Sequence, residues 1–227
     1  MNRAVQSVIG HAIIGSSLLV GAISGCDRQP SAGGASTAQE RPMPTIGEMK
    51  SDGEHFELSE FSITLPDSMA AVDFSSDDFA ALSASMRSKF EARNLDAMSQ
   101  LVERYRSSGQ FKFFAADLTA DDPSFLDNVN VIVNRVPPQT TQQHAAAMSE
   151  QSLAELGATL LRRDRYTTTS GTFDRFHSRF PEMGAESVAY VLIRSGKLYV
   201  ITFTAKPDRA GPFFGQATEI MRTFTAR

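Results

Sequence analysis

The stretch ESVAYVLIRSGKLYVITFTA (186–205) decides the fold, because it contains two strand-like runs joined by a tight turn. Apolar residues recur with the alternation of a strand along 186–194 and again along 197–205. Between the runs lies RSGK (194–197), which places a glycine where a two-residue hairpin turn requires a positive φ. We therefore predict an antiparallel β-hairpin, from which the rest of the sheet extends.

Segments upstream of this hairpin continue the sheet. Similar runs predict strands at 111–119, 127–136, 159–168 and 172–180. Further towards the N-terminus, HFELSEFSITLP (55–66) alternates twice. It predicts two short strands, or one bent strand, closed by Pro66.

Helical segments separate and follow these strands. A helix is predicted over 140–157, where Thr140 and Gln143 have capping-box spacing and Gly157 lies at the C-cap. A helical period also runs through 75–109. The last predicted helix begins near Pro212, and its buried face consists of Phe213, Ala217, Ile220 and Phe224. The order of elements predicts an α+β fold, a largely antiparallel sheet of about six to seven strands with helices packed on it.

A targeting segment is predicted over residues 1–26. Arg3 precedes an apolar stretch too short for a membrane span, and ISGC (23–26) resembles a bacterial lipobox. Small residues before Cys26 give a peptidase access, and the Cys26 thiol would take a diacylglycerol group. The alternatives are a secretory peptide without lipid and a chance cysteine, but the only cysteine of the chain lies where lipidation requires it.

The rest of the chain divides into a tether and one domain. Residues 27–53 are rich in Gly, Pro, Ser and Ala and lack apolar periodicity, so we predict a flexible tether. Residues 54–227 form the α+β domain, with 75–109 as a helical insertion. The mature protein is thus predicted to be lipid-anchored in a bacterial cell envelope, facing the periplasm or the exterior, at the inner or the outer membrane.

Composition limits the classes of partner. Removing Arg3 with the targeting segment changes the formal net charge from −4 to −5, which argues against nucleic acid as a partner. With Cys26 lipidated, the mature protein has no disulfide.

The order of several core and turn motifs resembles the PsbP-like superfamily, which includes a Ran-binding nuclear transport factor and bacterial lipoproteins. The motifs are FSITLP (61–66), FAAD (114–117), DNVNVIV (127–133), GTFDRFHSRF (171–180) and GKLYVITFTAKPD (196–208). The chain departs from the family in having Asp67-Ser68 where Gly-Trp is common, and in the length of 75–109. The resemblance implies a PsbP-like fold and a non-enzymatic role in binding partner proteins or assembling complexes.

No catalytic centre, metal site or cofactor site is predicted. His55, His144 and His177 share no metal-ligand spacing. Asn128 and Asn130 have poor strand propensity, which suggests hydrogen bonding to a neighbouring loop or, alternatively, contact with a ligand.

The most informative group is a cluster of cations that we call the cationic hairpin. Its members are Arg163 and Arg165 on one predicted strand and Arg175, His177 and Arg179 on the next. If the strands pair through a turn near 169–171, all five side chains lie on one face of the hairpin. Two interpretations stay open. The cations form a solvated face balanced by Asp164, Glu182 or Glu186, or they bind an anionic patch on a protein partner or lipid headgroups near the anchor.

Strand register raises a second question about these residues. Counting back from the 186–205 hairpin places Arg175, His177 and Arg179 on the same face as the apolar Val188 and its neighbours. Either a bulge reverses the three cations, or the apolar face has a polar end that forms a half-polar cleft.

These observations predict a non-enzymatic, lipid-anchored binding or assembly module with an unidentified protein partner. The alternative is a binder of a small amphiphilic ligand in a cleft between sheet and helices. The oligomeric state stays open.

Overall fold

A computed structural model describes residues 53–72, 111–117, 125 and 127–227. The predicted targeting segment at 1–26, nearly all of the tether at 27–53 and the helical stretch 75–109 lie outside the described residues. Within the described ranges, no helix has both the length and the apolarity needed to cross a membrane.

The elements follow the predicted order. In the N-terminal part they are β1 (Glu54–Glu57), β2 (Phe61–Leu65), β3 (Met69–Val72), β4 (Phe111–Asp117), β5 (Asn128–Arg135) and α1 (Gln142–Glu155). In the C-terminal part they are β6 (Thr159–Thr168), β7 (Gly171–Phe180), a 3-10 helix (Pro181–Met183), β8 (Ala185–Arg194), β9 (Lys197–Ala205), α2 (Ala210–Thr223) and β10 (Thr225–Ala226).

Two antiparallel sheets organise the described residues. Seven strands form one sheet in the order β3-β4-β5-β9-β8-β7-β6, and β1-β2-β10 form a smaller one. The hairpin at 186–205 is confirmed: Arg194 pairs with Lys197, and both turn residues have positive φ, 51° at Ser195 and 71° at Gly196. The predicted α+β class is confirmed as well.

Each face of the large sheet carries one helix. On one face, Phe213, Ala217 and Ile220 of α2, together with Phe224 just after it, pack on sheet residues that include Tyr190 and Ile201. On the other face, Ala145 and Met148 of α1 pack on Phe176, Val191 and Val200 of the sheet. Because β8 and β9 are covered on both sides, they are buried almost throughout.

Phe224, just after α2, joins the two sheets. Its ring stacks on Phe61 of β2 at 5.4 Å and meets Phe173 of β7 edge-on at 6.0 Å between centroids. The β6–β7 turn closes on the same place: Ser170 Oγ donates to the Phe224 carbonyl at 2.9 Å and accepts from the Ala226 N–H at 2.8 Å. The C-terminus is therefore fixed to the tip of the cationic hairpin.

The helix ends differ slightly from prediction. The N-cap of α1 is Thr141, whose side chain accepts from the His144 N–H at 3.1 Å. Thr140 instead belongs to the preceding turn, where its N–H donates to Pro137. Pro212 falls inside the first turn of α2, where its missing N–H leaves no bond unmade.

Candidate functional site

The register of the cationic hairpin assigns its charges to opposite faces of the sheet. β6 and β7 are joined by only two residues, so Thr168 pairs with Gly171, Asp164 with Arg175 and Arg165 with Asp174. Paired residues share a face, so Arg163 and Arg165 lie on the α1 side, whereas Arg175, His177 and Arg179 lie on the α2 side.

The prediction that all five side chains share one face is therefore wrong. A three-residue turn at 169–171 would have set Arg165 opposite Arg175. The observed two-residue turn shifts the pairing by one, and a shift of one exchanges the two faces of a strand.

On the α2 side, Arg175 makes a bidentate ion pair within the fold. Its Nε and one terminal nitrogen donate to the Asp164 carboxylate at 2.7 and 2.6 Å, and its guanidinium lies 5.6 Å from the Tyr166 ring centroid. Arg162 Nε approaches the same carboxylate at 2.7 Å. The hydrogen bond from Arg175 is the main reason why the pKa of Asp164 lies below its ordinary value.

A second cluster lies further along the same face, around the buried Glu186. This carboxylate accepts from His177 Nε2 at 3.0 Å and from Arg179 at 2.7 Å. Burial alone would raise the pKa of Glu186, but the hydrogen bonds from His177 and Arg179 outweigh it and the net pKa is lowered. The His177 ring also meets the ring of Phe214 of α2 at 5.3 Å.

These pairs answer the register question. Arg175 is opposite Tyr190 and His177 is opposite Val188, without a shift of register between β7 and β8. The apolar face under α2 therefore has a polar end, and no bulge reverses the cations. Phe214 and the Glu186 ion pairs lie at that end.

On the α1 side, Arg163 holds the sheet to the helix. It donates to Glu150 of α1 at 2.7 Å, lies 3.6 Å from the Asp174 carboxylate, and sits over the Phe176 ring. Asp174 is almost fully buried and accepts from Gln142 Nε2 at 2.7 Å.

Gln142 is a structural residue that the sequence did not single out. It also donates to the Val191 carbonyl at 2.9 Å and accepts from the Ile193 N–H at 2.7 Å. Val191 is the last β8 residue paired with β7, so these two bonds give the Val191 carbonyl and the Ile193 N–H partners where that pairing ends. Glutamine is mostly exposed in folded proteins, so no pattern in the sequence indicated this role.

Arg165 differs from the other cations of the hairpin. Arg165 is exposed, and within the described part of the chain it makes no ion pair. Of the three acids predicted to balance the cluster, Asp164 and Glu186 are paired with it. Glu182 is exposed and forms no ion pair in the described ranges.

The remaining candidates form no reactive constellation. His55 Nδ1 lies 3.1 Å from Thr64 Oγ1, and Thr141 caps His144 at its backbone. No three His, Cys, Asp or Glu among the described residues are grouped as metal ligands. Asn128 and Asn130 are buried in β5, and their predicted bonding to a loop stays a prediction.

Comparison with known proteins establishes the fold. No family model matches the chain, and a search of curated proteins gives no match. Among solved structures, cyanobacterial PsbP (CyanoP) from Synechocystis sp. PCC 6803 is similar at a TM-score of 0.50 and 12% identity, covering 82% of this chain and 99% of that one. The chain therefore has the PsbP-like α+β fold.

Two further solved structures match at lower TM-scores. LpqN of Mycobacterium tuberculosis, described as involved in cell envelope biogenesis, gives a TM-score of 0.48 at 12% identity, covering 77% of this chain and 84% of that one. The Saccharomyces cerevisiae Ran-binding protein Mog1p gives 0.45 at 10% identity, covering 78% and 96%.

Proposed function

We propose that the chain is a non-enzymatic binding or assembly module, held at a bacterial membrane through lipidated Cys26 and displayed on the extracytoplasmic side to a protein partner. The observation that carries the anchor is the position of the only cysteine, at the end of ISGC (23–26) behind an apolar stretch. Two or more acyl chains on Cys26 would hold the domain stably at the bilayer.

The arrangement of charge in the domain supports a binding role over a catalytic one. General acid–base chemistry requires titratable groups aimed at a common substrate position. Here Arg175 is bonded to Asp164, Arg163 to Glu150, and Arg179 to Glu186. These groups satisfy one another across strands and helices, as structural ion pairs do, and Arg165 is left exposed at the surface.

The amphiphilic-ligand alternative has less support. Such a ligand would place its headgroup at the polar end of the α2 face, where Phe214 and the ion pairs of Glu186 already lie.

Replacing the cysteine tests the anchor. Cys26→Ser should move the protein out of the membrane fraction or leave it unprocessed, with loss of incorporated fatty acid. The matched control adds Ser31→Cys to Cys26→Ser, which restores a thiol outside the lipobox spacing and should not restore the anchor. If Cys26→Ser fractionates and migrates like wild type, the anchor is wrong.

A further inference from the structure

We propose that the free edge of β6 binds an extended acidic segment of a partner protein, which adds to the sheet as an eighth strand of the order described above. The proposal deepens the binding role proposed above, on which it rests, but it does not depend on the lipid anchor. Strand addition uses backbone hydrogen bonds for affinity and side-chain positions for selectivity.

The position of β6 makes its backbone available. β6 ends the strand order, is ten residues long, and within the described residues pairs only with β7. Thr168 and Gly171 close the two-residue turn, so they are a hydrogen-bonded pair, and bonded and non-bonded pairs then alternate along the ladder. By this alternation, the N–H and C=O groups of Arg163, Arg165 and Thr167 point away from β7.

The charge of this edge favours an acidic partner. Arg165 is exposed without an ion pair in the described part of the chain, and the Arg162 side chain is 58% exposed. Arg162 also shares the single Asp164 carboxylate with Arg175, so that group of three keeps a positive charge. An added strand with a carboxylate opposite Arg165 would place that carboxylate on the α1 side, beside an exposed cation that makes no ion pair with any described residue.

The edge also offers one apolar contact. The register of β6 shifts between Leu160 and Arg162, and Leu161 in this bulge is 42% exposed. Among the described residues, Leu161 is the one large apolar residue that is exposed. An apolar residue near one end of the added strand would cover it.

Charge argues against a second copy of this chain as the occupant. Antiparallel pairing of β6 with itself would bring its arginines opposite one another, and like charges in that position are destabilising. The competing interpretation is that the arginines and the bulge protect the edge from association.

The experiment measures binding of a fluorescent ten-residue peptide of alternating Glu and Val to the full-length protein in micelles of a neutral detergent. The control peptide has the same sequence with every backbone nitrogen methylated, which keeps the charge and removes the donors on both edges of the peptide. We expect the methylated peptide to bind at least tenfold more weakly. Arg165→Gln should weaken binding of the unmodified peptide about two- to fivefold at low salt.

Arg135→Gln is the matched protein control, because Arg135 is an exposed arginine on β5, away from the β6 edge, and it should leave binding unchanged. Equal binding of both peptides would overturn the proposal, since it would show attraction by charge alone. So would Arg165-dependent binding to phosphatidylglycerol vesicles without peptide binding, which would assign the edge to lipid. Binding to neither probe would make β6 a protected edge. None of these outcomes bears on the Cys26→Ser result, so the two proposals fail separately.

Discussion

Two arginines of the cationic hairpin have opposite surroundings, although they lie on paired strands and close to the same turn. The Arg175 side chain, on the α2 side, is largely buried between the Asp164 carboxylate, which it binds in bidentate fashion, and the Tyr166 ring. Arg165, at the free edge of β6, is exposed and makes no ion pair with any described residue. Identical side chains are thus paired within the fold at Arg175 and exposed to solvent at Arg165.

The difference shows that a cluster of charge in a sequence does not by itself define a binding patch. In a strand, neighbouring positions belong to opposite faces, and the cations of β7 lie on the α2 side, where burial decreases from Phe173 through Arg175 and His177 to the exposed Arg179. Arg175 is the least exposed of these cations, and it is paired with Asp164 because an unpaired charge there would lose its hydration without compensation.

The largest effect on stability should come from breaking the ion pair between Arg175 and Asp164. Asp164→Ala leaves Arg175, whose side chain is 13% exposed, without its bidentate partner. We expect a loss of about 3 kcal/mol in the free energy of unfolding, measured by urea denaturation. Arg165→Gln is the control and should change stability by less than about 0.5 kcal/mol. Equal losses of stability in the two variants would remove the distinction between the paired Arg175 and the exposed Arg165.

A smaller effect should follow from loosening the α1 side. Gln142→Ala removes hydrogen bonds to Asp174, Val191 and Ile193, and leaves the almost fully buried Asp174 with one partner fewer. We expect a loss of about 1–3 kcal/mol in unfolding free energy. Gln143→Ala, one residue further along the same helix and exposed, should have almost no effect. If both variants unfold alike, the glutamine bonds do not hold α1 to the sheet.

The smallest effect should be a change in the pH dependence of stability. The pKa of Asp164 is lowered in the folded protein, so the unfolded chain takes up the proton first as the pH falls. The stabilisation is complete above the unfolded value of about 4 and is lost as the pH falls from there through the folded pKa. Asp164→Asn should therefore lose less stability than wild type between neutral and acidic pH. Parallel curves for the two proteins would show that Asp164 titrates alike in both states.

The sequence predicted the strands of the large sheet wherever apolar alternation was long enough, including the hairpin at 186–205. It also predicted α1 and α2, the helices on the two faces of that sheet. It missed β3, whose MAAV has little alternation, and β10, which has only two residues. Such short strands are defined by their partners rather than by their own pattern.

The faces of the candidate site were harder to predict than its strands. Thr169-Ser170 lacks the Asn-Gly or Asp-Gly signature of a two-residue turn, and the glycine stands just after it, at Gly171 with φ of 134°. The turn length was therefore uncertain by one residue, and one residue decides on which side every cation of β6 lies. The ion pairs of Arg175 and Arg163 depend on that choice and could not be derived before it.

The shortness of the turn at 169–170 also constrains how this protein can change over evolutionary time. Surface loops ordinarily tolerate insertions and deletions. A single residue added here would either reverse the faces of β6, separating Asp164 from Arg175, or displace Ser170 from the C-terminal residues that it holds. Related sequences that keep this arrangement should therefore vary in the identity of Thr169, while they keep Ser170 and the number of turn residues.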